Sequence, residues 1–191
     1  VSPAFPERSH RIDPLKNFAS SSQLASRVAA LIPSETGADP FAAFGQMAMT
    51  NVIAGMLLIE EKPTLASLRR YLEGSIASLV IAATDAYCAK KLKGDDWKIQ
   101  LKRYVESVGG ARGRFYFEYV AKHAPSSELE GLLSMFSRNA EHTGKMLASL
   151  FPVLVMLTSG HLGRLLSPDA ADRSDDRPIT DLSRVAHMAQ V

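Results

Sequence analysis

Apolar residues in this chain recur at intervals of three and four, between breaks that carry helix caps, and that pattern constrains the fold more than any other feature. The longest seam runs through Leu129, Leu132, Phe136, Ala140, Thr143, Leu147, Leu150 and Leu154. Such spacing keeps one face of a helix apolar for partner helices to pack on. Ser127 and Glu130 stand three apart at its start as a capping box, and Pro152 is expected to kink or split it near its end. Upstream, Asn17 to Ile32 reads as a helix with Leu24, Val28, Leu31 and Ile32 on one face. Asp39-Pro40 supplies an N-cap acceptor followed by proline at the first helical position, and Lys62-Pro63 stops the helix it starts. Thr64 caps a short helix that Gly74 ends, and Ser75 to Leu92 forms another that Gly94 closes. Asp95-Asp96 places negative charge at the start of the next, roughly Trp97 to Val108. Gly109-Gly110 with Gly113 reads as a bend carrying two arginines, after which Phe115, Tyr116, Phe117 and Tyr119 resume in helix to His123. Alternation of period two is minimal, so the expected fold is all-α, a bundle of six or seven helices.

The flanks differ from this body. Pro3, Pro6 and Pro14 make the first segment an extended lead-in. Ser167 to Pro178 is a polar, aspartate-rich linker, after which Thr180 is placed to cap a short helix through His187. The chain opens at Val1 without an initiator Met and closes at Ala189-Gln190-Val191 in what reads as the approach to a buried strand. It is therefore expected to be a piece of a longer polypeptide. At 191 residues it is long enough for one well-buried domain. A net charge of +2 is too small to imply nucleic-acid binding by itself, and the single Cys88 excludes an intrachain disulfide. Pro40 to Ile59 carries no charge, yet contains Gln46, Thr50, Asn51, Gly45 and Gly55. Met146 to Thr158 falls short of the ~20 apolar residues a bilayer requires. Both read as core helices.

No complete catalytic signature stands in the sequence. Gly144-Lys145 resembles the end of a P-loop, but Asn139 occupies the place of the leading glycine and Met146 that of the magnesium-holding Ser or Thr. Gly109 to Gly113 is glycine-rich and basic but follows no strand, as a dinucleotide site would. His10, His123, His142, His161 and His187 are scattered singly, without the spacing that puts two metal ligands on one helix face. Cys88 on a helix reads as a small apolar core residue. Glu60-Glu61, Glu128 and Glu130 fall at helix ends, where dipole and capping account for them.

One stretch is basic and aromatic together. Lys90, Lys91, Lys93, Lys98, Lys102, Arg103, Arg112, Arg114 and Lys122 are interleaved with Trp97, Tyr104, Phe115, Tyr116 and Tyr119. Cations that track a phosphate backbone, with aromatics for base stacking, hold single strands without sequence preference. The same pattern is also that of a solvated basic face on two amphipathic helices whose aromatics are core. The candidate contacts for DNA or a partner are Lys90, Lys91, Lys98, Lys102, Arg103, Arg112 and Arg114, with the glycine bend around the last two the best single candidate.

Three segments carry a resemblance. They are Ile12-Asp13-Pro14-Leu15-Lys16-Asn17-Phe18 with Ser22 to Ile32 after it; Pro63-Thr64-Leu65 leading to Leu68-Arg69-Arg70-Tyr71-Leu72-Glu73-Gly74; and Arg177-Pro178-Ile179-Thr180-Asp181-Leu182-Ser183-Arg184-Val185 running into Ala189-Gln190-Val191. In that order the chain resembles the conjugative coupling proteins of type IV secretion, the TraD/TraG-type DNA-translocating ATPases. In that family a RecA-like nucleotide-binding domain is interrupted, between P-loop and Walker B aspartate, by an all-α domain. The resemblance implies that residues 1–20 and 167–191 are an N-terminal flap and an acidic linker with a C-terminal flap of the ATPase domain, around an all-α domain at 21–166. It implies a domain that helps recruit the relaxase–DNA complex or its accessory proteins, and through them single-stranded DNA. The hexameric parent, anchored at the cytoplasmic face of the bacterial inner membrane, would feed the secretion channel. ATP and magnesium belong to that parent. Neither Walker motif lies within these residues, so no cofactor, metal or catalytic residue is assigned to this soluble piece. The competing expectations are a freestanding helical adaptor that binds protein only, and a helical enzyme with a dispersed active site.

Overall fold

A computed structural model describes residues 5–30, 40–104, 110–137, 150–168 and 174–180. The described body is all-α, and its only strands are two short ones, β1 Arg11–Ile12 and β2 Ile179–Thr180. The expected Asp39 cap, the Gly144-Lys145 pair, His142, His187, the seam between Ala140 and Leu147, and the helix after Thr180 lie outside the described residues.

The first helix, α1 Ser21–Ala29, starts four residues later than the apolar pattern predicts. Asn17 sits in the left-handed region (φ 56°), which a helix cannot accommodate. Ser20 then caps the helix by accepting from the Gln23 amide, and the Gln23 side chain returns to the Ala19 amide at 2.8 Å. Arg27 ties the lead-in down by donating to the carbonyls of Pro14, Lys16 and Asn17.

The central rod is α2 Pro40–Leu58, against which α1, α4 Ile76–Lys91 and α8 Ser127–Ser137 pack. Its Ala48, Met49, Val52, Ile53 and Met56 are all fully buried, and no described helix is long and apolar enough to cross a membrane. Gly55 permits a close approach, since a Cβ there would stand 2.8 Å from Leu132 and 3.2 Å from Leu79. The C-terminus of α2 closes on Glu60 at φ 59°. The Glu60 amide donates to Leu57 and the Glu61 amide to Met56 at 2.9 Å, the paired bonds of a Schellman ending.

Thr64 caps α3 Leu65–Arg70 in a reciprocal box with Ser67, as its sequence position predicts. Gly74 ends that helix, as its position predicts, because its own backbone is non-helical. The chain passes through a wide π turn, Tyr71–Ser75, and bends at Gly74 directly into α4. Gly94, at φ 70°, does close the turn after α4. The next helix, α5 Asp96–Leu101, is shorter than predicted, and Lys102 to Tyr104 leave it. Then α6 Gly110–Phe115, a π turn Tyr116–Val120 and α7 Ala121–His123 form one rod.

The capping residue of α8 is Ser126 rather than Ser127, because its hydroxyl accepts from the Leu129 amide at 3.2 Å. Glu130, expected in the box, instead accepts from the Tyr116 hydroxyl at 3.0 Å, and that hydroxyl also accepts from the Ser126 amide at 2.7 Å. Burial pushes the Tyr116 phenol up to about 12. Of the long seam, Leu129 and Leu132 are buried on α8, and Leu150 and Leu154 on α9 Leu150–Thr158, which packs on α3. Beyond α9, a short helix not foreseen from sequence, α10 Gly160–Leu166, folds back onto it. Gly163 allows this, since the Thr158 carbonyl lies where its Cβ would be.

Candidate basic interface

The cations of the basic stretch come from three elements. Lys90 and Lys91 end α4, Lys98 is on α5, Lys102 and Arg103 follow α5, and Arg112 and Arg114 are on α6. Lys90, Lys91, Lys93, Lys98, Lys102 and Arg103 are all exposed. Lys98 alone among them forms an ion pair among the described residues, at 2.7 Å from Asp95, and its ammonium lies 5.6 Å from the Trp97 ring centre. Exposed cations therefore stand at the C-terminal end of α4 and after α5, with the exposed Asp95 and Asp96 between them in the chain.

The glycine bend is not where the sequence puts it. Gly110 to Phe115 is helical, so Arg112 and Arg114 stand on a helix rather than on an exposed loop, and residues 105–109 lie outside the described residues. Arg112 turns inward across α4. Its Nε and Nη2 donate to the two carboxylate oxygens of Asp85 at 3.3 and 3.1 Å, with both side chains partly buried. This fork binds α6 to α4 and engages the cation that was the leading candidate for DNA contact. Arg114 is exposed.

The aromatics divide in the same way. Trp97 is 4% exposed and Phe115 and Tyr116 are fully buried, so none of the three offers a face for a nucleic-acid base. Tyr104, Phe115, Tyr119 and His123 instead contact one another in a chain, edge-on, stacked and tilted in turn, with ring centres 5.7, 5.5 and 4.7 Å apart in succession. Among the described aromatics of this stretch, Phe117 is the large exposed one, at 50%. What the arrangement supplies is a positive surface with an aliphatic component, since Ile99 beside Lys98 is 59% exposed.

Cys88 is buried, and desolvation pushes its thiol up to about 12, which removes it as a nucleophile at neutral pH. Among the described residues no three of His, Cys, Asp and Glu are grouped as metal ligands.

A second polar site was not read from the sequence as a cluster. Arg11 and Ile12 pair in parallel with Ile179 and Thr180, and the Arg11 amide donates to the Pro178 carbonyl at 3.0 Å. Arg177 forks onto Asp175, with Nε 2.8 Å from Oδ1. Arg11, whose side chain is only 8% exposed, places Nη1 3.8 Å from Asp175 and donates through Nε to the Arg177 carbonyl at 2.9 Å. The hydrogen bonds from Arg177, with Arg11 adding its field, hold the Asp175 carboxyl well below the usual carboxylate range. The trio lines a cleft of about 810 Å³ with Glu7, His161 and Arg164. Arg11 stands 164 residues from Asp175 and 166 from Arg177, so no local spacing could bring it to the other two. No protein-family model matches the chain, and neither a curated protein nor a solved structure matches it.

Proposed function

We propose that this chain is the all-α domain of a conjugative type IV secretion coupling ATPase, which engages substrate on behalf of a hexameric, membrane-anchored translocase. One observation carries most weight beside the resemblance. The two flanking segments that bear it meet as a parallel ladder with the entire helical body as their crossover. Parallel strands require a long connection, are normally buried within larger α/β sheets, and do not persist as an isolated pair. A helical domain inserted into such a sheet, leaving and re-entering it side by side, has this geometry. ATP and magnesium would bind the surrounding nucleotide domain. The described helices here would contribute recognition, with the lysines of α4 and α5 as the contact surface, and no hydrolysis of their own.

Sequencing outward from this coding region tests the proposal. A P-loop upstream and a Walker B aspartate downstream are expected; an open reading frame confined to these helices would overturn it. The burial of Trp97, Phe115 and Tyr116 favours a second reading, in which the domain is an adaptor for protein alone. Anisotropy of a labelled oligonucleotide separates the two. Weak binding without sequence preference, with a log–log salt slope of roughly −0.7 per phosphate contacted, supports DNA contact. No binding at low salt leaves the adaptor.

A further inference from the structure

The outward face of α4 lacks what an exposed helix face normally carries. Its inner face packs Leu79, Val80, Ala83, Tyr87 and Cys88 into the core. Its outer face presents Ala82, Ala86 and Ala89, at intervals of four and three, with no charge until Lys90. Asp85, the one acid on the helix, is taken up by Arg112. A helix that is apolar on both sides is ordinarily covered on both, because a solvated side gains nothing from apolar residues.

The alanines form the floor of a groove of about 630 Å³, whose wall is Leu58 and Ile59 at the end of α2, with the Glu60 carboxylate at its edge. Lys90 closes one end of it, and Lys91 and Lys93 follow at once, both exposed. Among the described residues, none of these three lysines pairs with a carboxylate.

We infer that this groove docks an amphipathic helix of a protein partner, with small apolar residues along its contact face and carboxylates at the end that lies over Lys90, Lys91 and Lys93. The choice of a helix follows from the floor. Alanines at i, i+4 and i+7 cover about two turns and let a second helix axis approach to roughly 8 Å, the lower end of helix-packing distances. The wall beside them is a helix terminus rather than a strand edge, so an extended peptide finds no ladder to join. Nucleic acid is disfavoured because the groove holds neither an aromatic platform nor a cation along its floor. The carboxylates follow from three exposed ammonium groups that meet no carboxylate among the described residues, which select partner and orientation by charge complementarity. The inference deepens the protein-contacting half of the proposed function and is independent of whether DNA binds.

The test titrates the whole chain with three probes and follows the backbone amides by NMR. The first is a blocked alanine–leucine helical peptide ending in four glutamates; the second is the same peptide ending in four lysines; the third is a short oligo-dT. The acidic peptide should shift the amides of Ala82, Ala86, Ala89 and Ile59 and bind at least about ten-fold tighter than the lysine-ended one, less so as salt rises. Ala82→Glu, at an exposed position, should weaken the acidic peptide about ten-fold or more with the melting temperature unchanged. Lys90→Glu with Lys91→Glu should remove the preference between the two peptides while leaving residual apolar binding. Equal affinity for both peptides in the native chain, shifts at these amides from oligo-dT alone, or no shift by any probe at millimolar concentration would each overturn the inference. None of those results would bear on whether a P-loop flanks the coding region.

Discussion

Ser126 and Ser127 are chemically alike and adjacent, and the sequence favours the second because Glu130 stands three residues beyond it. The structure chooses the first, because Tyr116 reaches in from the preceding rod and takes both the Ser126 amide and the Glu130 carboxylate. A cap is legible in sequence to within a residue; which hydroxyl fills it is settled by a contact ten or more positions away. Ser126→Ala should therefore cost about 1 kcal/mol, and Ser127→Ala less than about 0.5 kcal/mol, in a denaturant titration with unchanged slope. Glu60 presents the opposite situation, a non-glycine residue where the α2 ending requires a left-handed backbone. Relief of that cost outweighs the greater freedom of glycine in the unfolded chain, so Glu60→Gly should raise stability by up to about 1 kcal/mol. Glu60 is exposed and faces no described partner that the change would strand, and thermal melting reads the outcome.

Among the elements, the helices whose ends carry proper caps were legible: α3 from Thr64, and α4 from the glycine that follows it. Two features were not. Gly110 and Gly113 suggest a break, yet α6 forms because Ala111 and Phe115 bury one face of it and Arg112 anchors the other to α4. Tertiary packing there exceeds the roughly 1 kcal/mol per glycine that intrinsic propensity opposes to a helix. The short α10 was missed because seven residues with two glycines carry little periodicity, and its position depends on Gly163 touching the backbone of α9. If Arg112 is an anchor, Arg112→Ala and Asp85→Ala should each destabilise by about 0.5–1 kcal/mol, a modest range because the pair is partly solvated. A double-mutant cycle should recover most of that as coupling. Should Arg112→Ala leave stability unchanged and instead weaken oligonucleotide binding, the anchor role is wrong and the cation belongs to the interface.

At the scale of the whole molecule, the helical body and the ladder are held by different physics. The body rests on apolar burial around α2, which the three-and-four spacing announces. The ladder has two residues per strand and rests on charge, in the Arg11–Asp175–Arg177 cluster, which nothing in local sequence announces. Asp175 accepts from Arg177 and lies within reach of Arg11, so its ionised form is favoured in the fold and its pKa is depressed. For a depressed carboxyl the sign is fixed: the stabilisation is complete above the ordinary carboxylate pKa, declines progressively as pH falls below that value, and is gone once pH reaches the lower folded one. The two strands should therefore stay paired at pH 4 and separate in stronger acid. Asp175→Asn removes the charge at every pH and should do the same at neutrality. Hydrogen exchange distinguishes this from general destabilisation, because the Arg11 amide reports the ladder through its bond to Pro178, while the amides of Val52 and Ile53 report the core. In Asp175→Asn the Arg11 amide should exchange at least about ten-fold faster with the core amides unchanged, the behaviour of a local opening rather than a global one. If ladder and core amides accelerate together, the ladder is part of the cooperative unit, and the helical body does not stand apart from the two segments that carry it.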